Sequence, residues 1–194
     1  MIRPALAAAA VLVALAPALP ANAEPAPQSY MAERAAIQPK SADAVLARPL
    51  LRVPFSCGEN WSGASRSGHS PSYYSLDFNW GSGRDDLGKP VKSSAAGTVV
   101  RSAYDAGGYG NYIEIAHGDG WRTLYAHLQN RAVAVNDRVT NSTQIGRVGD
   151  TGNVTGPHLH YEQIHNGAVV AAKFGTSTWA TYPGPDTYAR IRDC

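Results

Sequence analysis

A chain of 194 residues has room for one domain with a sizeable core, and not comfortably for two. Its 17 basic and 15 acidic residues leave a net charge of +2, which gives no electrostatic case for nucleic acid, a partner that favours a strongly basic face. Six histidines and two cysteines are few enough to be weighed one by one.

Residues 1–23, MIRPALAAAAVLVALAPALPANA, open with Arg3, run through an apolar stretch and end in Ala21-Asn22-Ala23. That is the layout of a secretory signal peptide with a small-x-small cleavage site. Pro17 and Pro20 interrupt a stretch that is short for a membrane anchor. The expectation is therefore a secreted or envelope-exterior protein with no integral membrane segment after cleavage. Loss of Arg3 with the signal brings the net charge to +1. Residues 24–50 are rich in Ala and Pro and read as a linker or short pro-segment, with a brief helix around YMAERAAI. The domain itself is expected over residues 51–194. Cys57 and Cys194 are its only cysteines. In an exported chain the default is one disulfide between them, a closure worth about 5 kcal/mol at most in the chain-entropy account.

From Arg52 onward, short β-type runs alternate with Gly, Ser, Asn and Asp clusters. YSLDFNW, GTVVRSA, NYIEIAH, WRTLYAHL, AVAVNDRV, QIGRVG and HLHYEQIH are the predicted strands, with turns such as DAGGYGN and HGDG between them. The fold class that follows is mostly β: a single domain built on an antiparallel sheet, split-barrel-like, with long connecting loops and little helix.

Strands alternate their side chains between faces, so His158 and His160 point the same way and Leu159 the other. In TLYAHL, alternation puts Leu124, Ala126 and Leu128 on an apolar face and Thr123, Tyr125 and His127 opposite. In SLDFNW, Leu76 and Phe78 suit a core and Asp77 faces away from them, while His69 lies upstream in the loop SGHSPS. A His-x-His pair alone fits solvated strand histidines as well as it fits a ligand pair. Together with His69, Asp77 and His127 it becomes the material of a zinc site, because catalytic zinc takes three ligands from His, Asp or Glu and keeps one position open. His117 and His165 fit no ligand motif and are expected at the surface.

The segments SGHSPSYYSLDFN, GYGNYIEIAHGDGWRTLYAHL and IGRVGDTGNVTGPHLHYEQ, in that order over residues 55–164, resemble the lysostaphin-type and beta-lytic zinc metallopeptidases that cut peptidoglycan peptides. The resemblance implies one zinc ion per chain, with His69, Asp77 and His160 as ligands and His127 and His158 as the further active-site histidines. His69 and Asp77 stand eight residues apart, whereas many members space them by four and the beta-lytic branch by more. It also implies the function: an exported endopeptidase that hydrolyses cell-wall crosslinks or stem peptides through a zinc-activated water. Peptidoglycan peptides would be its partners and a monomer its state. With no HExxH in the chain, proton handling and stabilisation of the tetrahedral intermediate fall jointly to His127 and His158, and Tyr125 becomes a candidate for lining the groove. The rival readings are a catalytically silent wall-binding or hydrolase-regulating protein of the same fold, an unrelated β-sheet binding module, and a carboxypeptidase that trims D-alanine.

Overall fold

The computed structural model describes Tyr30 and residues 48–189. The expected signal peptide, almost all of the expected linker and its helix, and Cys194 lie outside the described residues. Thirteen strands follow one another there: β1 (Asn60–Ala64), β2 (Leu76–Asn79), β3 (Pro90–Lys92), β4 (Gly97–Asp105), β5 (Gly110–Gly118), β6 (Trp121–Arg131), β7 (Arg138–Val139), β8 (Gln144–Val148), β9 (Leu159–His165), β10 (Ala168–Val170), β11 (Lys173–Phe174), β12 (Thr178–Trp179) and β13 (Asp186–Ala189). Residues 48–189 contain no helix. No helix among the described residues is long and apolar enough to cross a membrane.

Eleven strands form one sheet in the order β13-β1-β2-β9-β6-β5-β4-β7, with β10 beside β9 and β8 between β6 and β3. Every strand pairing is antiparallel. The sheet is open, not a closed barrel, and it forks. Strand β6 pairs with β9 from Trp121 to Ala126, then leaves it and pairs with β8 from Leu128 to Arg131. The residue at the fork is His127, whose φ is 59°. On the other side of β6 the register with β5 slips at the same place, between Asn111↔Leu128 and Ile113↔Tyr125. Two residues of β6 therefore face one of β5, which is a β-bulge.

The bulge corrects one reading of the sequence. Strict alternation would group His127 with Tyr125, and Leu124 and Ala126 with Leu128. Instead Tyr125 and Leu128 both enter the main core with Trp61, Phe78, Leu159 and Tyr161, while Leu124 and Ala126 join Tyr109, Tyr112, Ile164 and Val169 in a second cluster on the opposite face. Fully burying an aliphatic or phenyl side chain contributes about 1.5–3 kcal/mol, so this partition fixes which side of β6 and β9 faces the core. Phe55 stacks on Trp61 at 3.8 Å and strengthens the same layer.

All seven predicted runs contain strands. AVAVNDRV contributes only its last two residues as β7, because Asn136 turns with φ 76° and Ala134 N is held by the Asp137 carboxylate at 2.8 Å. The chain upstream of the domain also makes contact with it. Tyr30 stacks on Tyr112 at 5.2 Å and donates its hydroxyl to Glu114 at 2.5 Å. Arg48 lies over the Trp121 and Trp179 rings.

Candidate metal centre

Pairing of β2 with β9 sets Asp77 opposite His160, and pairing of β9 with β6 sets His160 opposite Ala126. These residues share the face of the sheet away from the main core. His158 lies just before β9, bridged to Gly149 beyond the end of β8, so it sits beside the fork that carries His127. The His127 and His158 rings are 4.7 Å apart, and the His127 and His160 rings 5.7 Å. His69 comes from the loop before β2. A turn from Arg66 O to His69 N and the positive φ of Gly68 swing it inward until it is 6% exposed. The eight-residue interval is thus taken up by a loop folded back on itself.

Three atoms converge here. Asp77 Oδ1 lies 3.1 Å from His69 Nε2 and 3.1 Å from His160 Nδ1, and the donors of His69, Asp77 and His160 all fall within 4.8 Å of one another. Tetrahedral zinc with bonds of about 2.0–2.1 Å separates its ligand atoms by about 3.3 Å, so the spacing fits that ion. The proton inventory fits it too. Ser65 donates its hydroxyl hydrogen to Tyr73 O at 2.6 Å, so at 3.0 Å from His69 Nδ1 it serves as acceptor. His69 then carries its hydrogen on Nδ1 and turns the lone pair of Nε2 toward a carboxylate oxygen. A cation between two such atoms resolves the conflict.

Charge follows the same geometry. Burial pushes the Asp77 carboxyl up, but the close imidazoles of His160 and His69 outweigh it and hold the group well below the usual carboxylate range. Burial pulls the His160 imidazole down, yet its bonds to Asp77 and Glu162 raise it to about 9. His127 is driven the other way, to about 3, by burial and by the neighbouring His160 and His158. His158 is lowered by burial against the opposing pull of Asp77. Both of these rings bond through Nδ1 to a carbonyl, His127 to Thr151 O at 3.0 Å and His158 to Gly156 O at 2.9 Å. Each must carry its hydrogen there, which leaves Nε2 as an acceptor.

Residues 82–184, just over half of the chain, match peptidase family M23. The chain belongs to this family. The matched residues include His127, His158 and His160; His69 and Asp77 precede them and are joined to them by the β2–β9 pairing. Among M23 relatives, peptidoglycan DD-endopeptidase ShyC of Vibrio cholerae is 44% identical over 81 residues, which are 42% of this chain and 18% of that protein. DD-carboxypeptidase/endopeptidase Mpg of Neisseria meningitidis is 47% identical over 83 residues, 43% of this chain and 19% of that one. The match thus spans about a fifth of the length of these curated relatives. A zinc-containing peptidase from Vibrio cholerae has the same fold, with a TM-score of 0.53 and 27% identity over 66% of this chain and 41% of its own.

The other sequence candidates fall elsewhere. Tyr125 is fully buried and lines no groove; its hydroxyl takes the Ser94 amide at 2.7 Å and lies 2.8 Å from Thr123 Oγ1. His117 is not a free surface side chain, since Nδ1 lies 2.8 Å from Ala96 O and Nε2 2.8 Å from Thr123 Oγ1. His165 stacks on Trp121 at 4.4 Å, away from the site. Besides Ser65 at His69, three neighbours of the site escaped the sequence reading. Arg66 reaches Asp77 Oδ2 at 2.8 Å, and Glu162 and Tyr109 lie behind His160. For Glu162 there was a signal, because it continues the alternation of His158 and His160 on one face.

Proposed function

We propose that this M23 protein is an exported zinc endopeptidase that hydrolyses peptide bonds of peptidoglycan, crosslinks or stem peptides. One zinc ion is held by His69 Nε2, Asp77 Oδ1 and His160 Nδ1, and protons are handled by His127 and His158. The observation that carries the reading is the convergence of those three donor atoms within 4.8 Å beside the His127 and His158 rings, 4.7 Å apart. The names borne by the relatives, DD-endopeptidase and DD-carboxypeptidase/endopeptidase, support the substrate class. Residues 1–23 support export, and a Cys57–Cys194 disulfide accompanies it.

Zinc bound there supplies a Lewis acid for the scissile carbonyl and brings the pKa of water from about 16 toward about 7. The remaining work belongs to the chain. His127 and His158 are locked by the carbonyls of Thr151 and Gly156 in the tautomer whose Nε2 accepts. At about 3, His127 is neutral at working pH and enters as an acceptor. His158, nearer to Asp77 at 3.6 Å, feels a carboxylate that favours its protonated form. Acid–base duty is therefore shared between two imidazoles of different environment.

The test is mass spectrometry of fragments released from purified peptidoglycan by the secreted chain, with and without a zinc chelator. Chelator-sensitive fragments with new amino termini inside a crosslink or stem are the expected result and name the bond. Release of free D-alanine alone would make it a carboxypeptidase. Intact peptidoglycan after incubation with folded, zinc-loaded protein would overturn the hydrolytic reading. Intact mass without and with reductant checks the disulfide, which predicts a gain of two hydrogens on reduction.

A further inference from the structure

Glu162 lies two residues beyond His160 on β9, so its side chain falls on the same face, behind the imidazole. It is fully buried. Its Oε1 is 3.0 Å from His160 Nε2 and 2.5 Å from the hydroxyl of Tyr109, which is also fully buried. A buried carboxylate is a costly way to fill space, since an apolar side chain would pack there without the loss of hydration. What it supplies is direction.

We infer that Glu162, braced by Tyr109, is the positioning residue that aims His160 at the metal; the inference rests on the proposed role of His160 as a ligand. A carboxylate oxygen 3.0 Å from Nε2 requires a hydrogen on that nitrogen. A neutral imidazole with its hydrogen on Nε2 has its lone pair on Nδ1, and Nδ1 is the atom that faces Asp77 Oδ1. The carboxylate thereby selects the ligating tautomer, fixes the ring and raises the basicity of Nδ1, as second partners of metal-bound histidines do. Tyr109 donates its hydroxyl to the same Oε1 and packs its ring 5.5 Å from the imidazole. Its backbone oxygen accepts the amide of His127 at 2.8 Å. One tyrosine thus steadies the bulge that carries His127 and the carboxylate that orients His160.

The experiment compares the full secreted chain with its Glu162→Gln and Tyr109→Phe variants, both close in shape to the original. Zinc affinity is read by competition with a chromophoric chelator, and the visible spectrum is recorded after cobalt substitution. Thermal unfolding of the metal-free forms serves as the control for folding. The expected result is a zinc affinity about 10- to 100-fold weaker for Glu162→Gln and about 5-fold weaker for Tyr109→Phe. A shifted cobalt spectrum is expected with both, at metal-free melting temperatures close to wild type. Affinities within two-fold of wild type and an unchanged cobalt spectrum in both variants would overturn the inference and leave the ligand assignment standing. A wild-type chain that takes up neither zinc nor cobalt would overturn both.

Discussion

His160 touches carboxylates at both ring nitrogens, 3.1 Å from Asp77 and 3.0 Å from Glu162, whereas His127 and His158 each touch a backbone carbonyl through Nδ1. That contrast separates the residues proposed to hold metal from those proposed to move protons, and the two sets should fail differently. His160→Ala and Asp77→Ala are expected to lose bound zinc and activity together. His127→Ala and His158→Ala are expected to keep about one zinc per chain while the rate falls about 10²- to 10⁴-fold. Metal analysis alongside a peptidoglycan-release assay decides; full zinc content in His160→Ala would remove it from the ligand set. At this scale the sequence was informative where side-chain order is local. His160 and Asp77 occupy strands and His158 stands at a bridge just before β9, so alternation aims all three. Tyr125 was misread because a bulge at His127 breaks the alternation, and nothing in TLYAHL announces a φ of 59° at a histidine. Ser65 and Tyr109 were invisible for another reason: they reach the site through loop closure and long-range pairing.

Among the elements, the fork in β6 places His127, and two glycine turns hold the fork in shape. Gly152 has a φ of 83°, and a Cβ there would stand 2.3 Å from Gly110 N and 2.4 Å from Gly108 O. That close approach lets DAGGYGN pack against Thr151. The Thr151 hydroxyl bonds Leu128 O at 2.8 Å and receives Asn111 N at 2.9 Å, while its carbonyl accepts from His127. A methyl group at residue 152 must push these turns apart. Gly152→Ala is expected to lower stability by about 1–3 kcal/mol, the range for a side chain forced into a sparsely populated backbone region. The rate should also drop while zinc stays bound, since Thr151 moves and neither His69 nor Asp77 does. Urea unfolding and the release assay test this; an unchanged unfolding midpoint would show that the turns tolerate the methyl group. The glycines were legible as turn formers, but not as a clamp on a histidine. The strands β1 and β13 were not legible at all. NWSGA has no sustained alternation, and it becomes a strand by pairing with β2 on one side and, more than a hundred residues on, with β13 on the other.

For the whole molecule, the proposed metal would compete with protons for the same place, and its binding would raise the stability of the domain. An ion that binds the folded chain and not the unfolded one adds RT ln(1 + [L]/Kd), about 2.7 kcal/mol at a hundred-fold excess over Kd. Chelation should lower the melting temperature accordingly, and readdition of zinc should restore it. Calorimetry with equal midpoints in both states would argue against a bound metal.

The metal-free chain should also have a stability maximum near pH 6.5, for a reason that lies in opposed imidazoles. His127, His158 and His117 are all pushed down by burial, His127 to about 3. The unfolded chain protonates its histidines near about 6.5, so on acidification it takes up protons that these folded imidazoles refuse. Stability is then lost as pH falls below about 6.5, by at most about 1.4 kcal/mol per pH unit for each group. His160, raised to about 9, has the opposite sign. Its contribution is fully present below the unfolded value near 6.5 and is lost as pH climbs through 9. Asp77, held below the carboxylate range, gives stability that is intact above about 4 and lost only in stronger acid. Urea midpoints of chelated protein should therefore be higher at pH 6.5 than at either pH 5 or pH 9. His117 lies away from the metal, so His117→Gln should flatten the acid side and leave the alkaline side as it was. A midpoint that rose steadily from pH 5 to pH 9 would mean that His160 holds no extra proton in the folded chain. The hydrogen bonds to Asp77 and Glu162 would then not govern its charge.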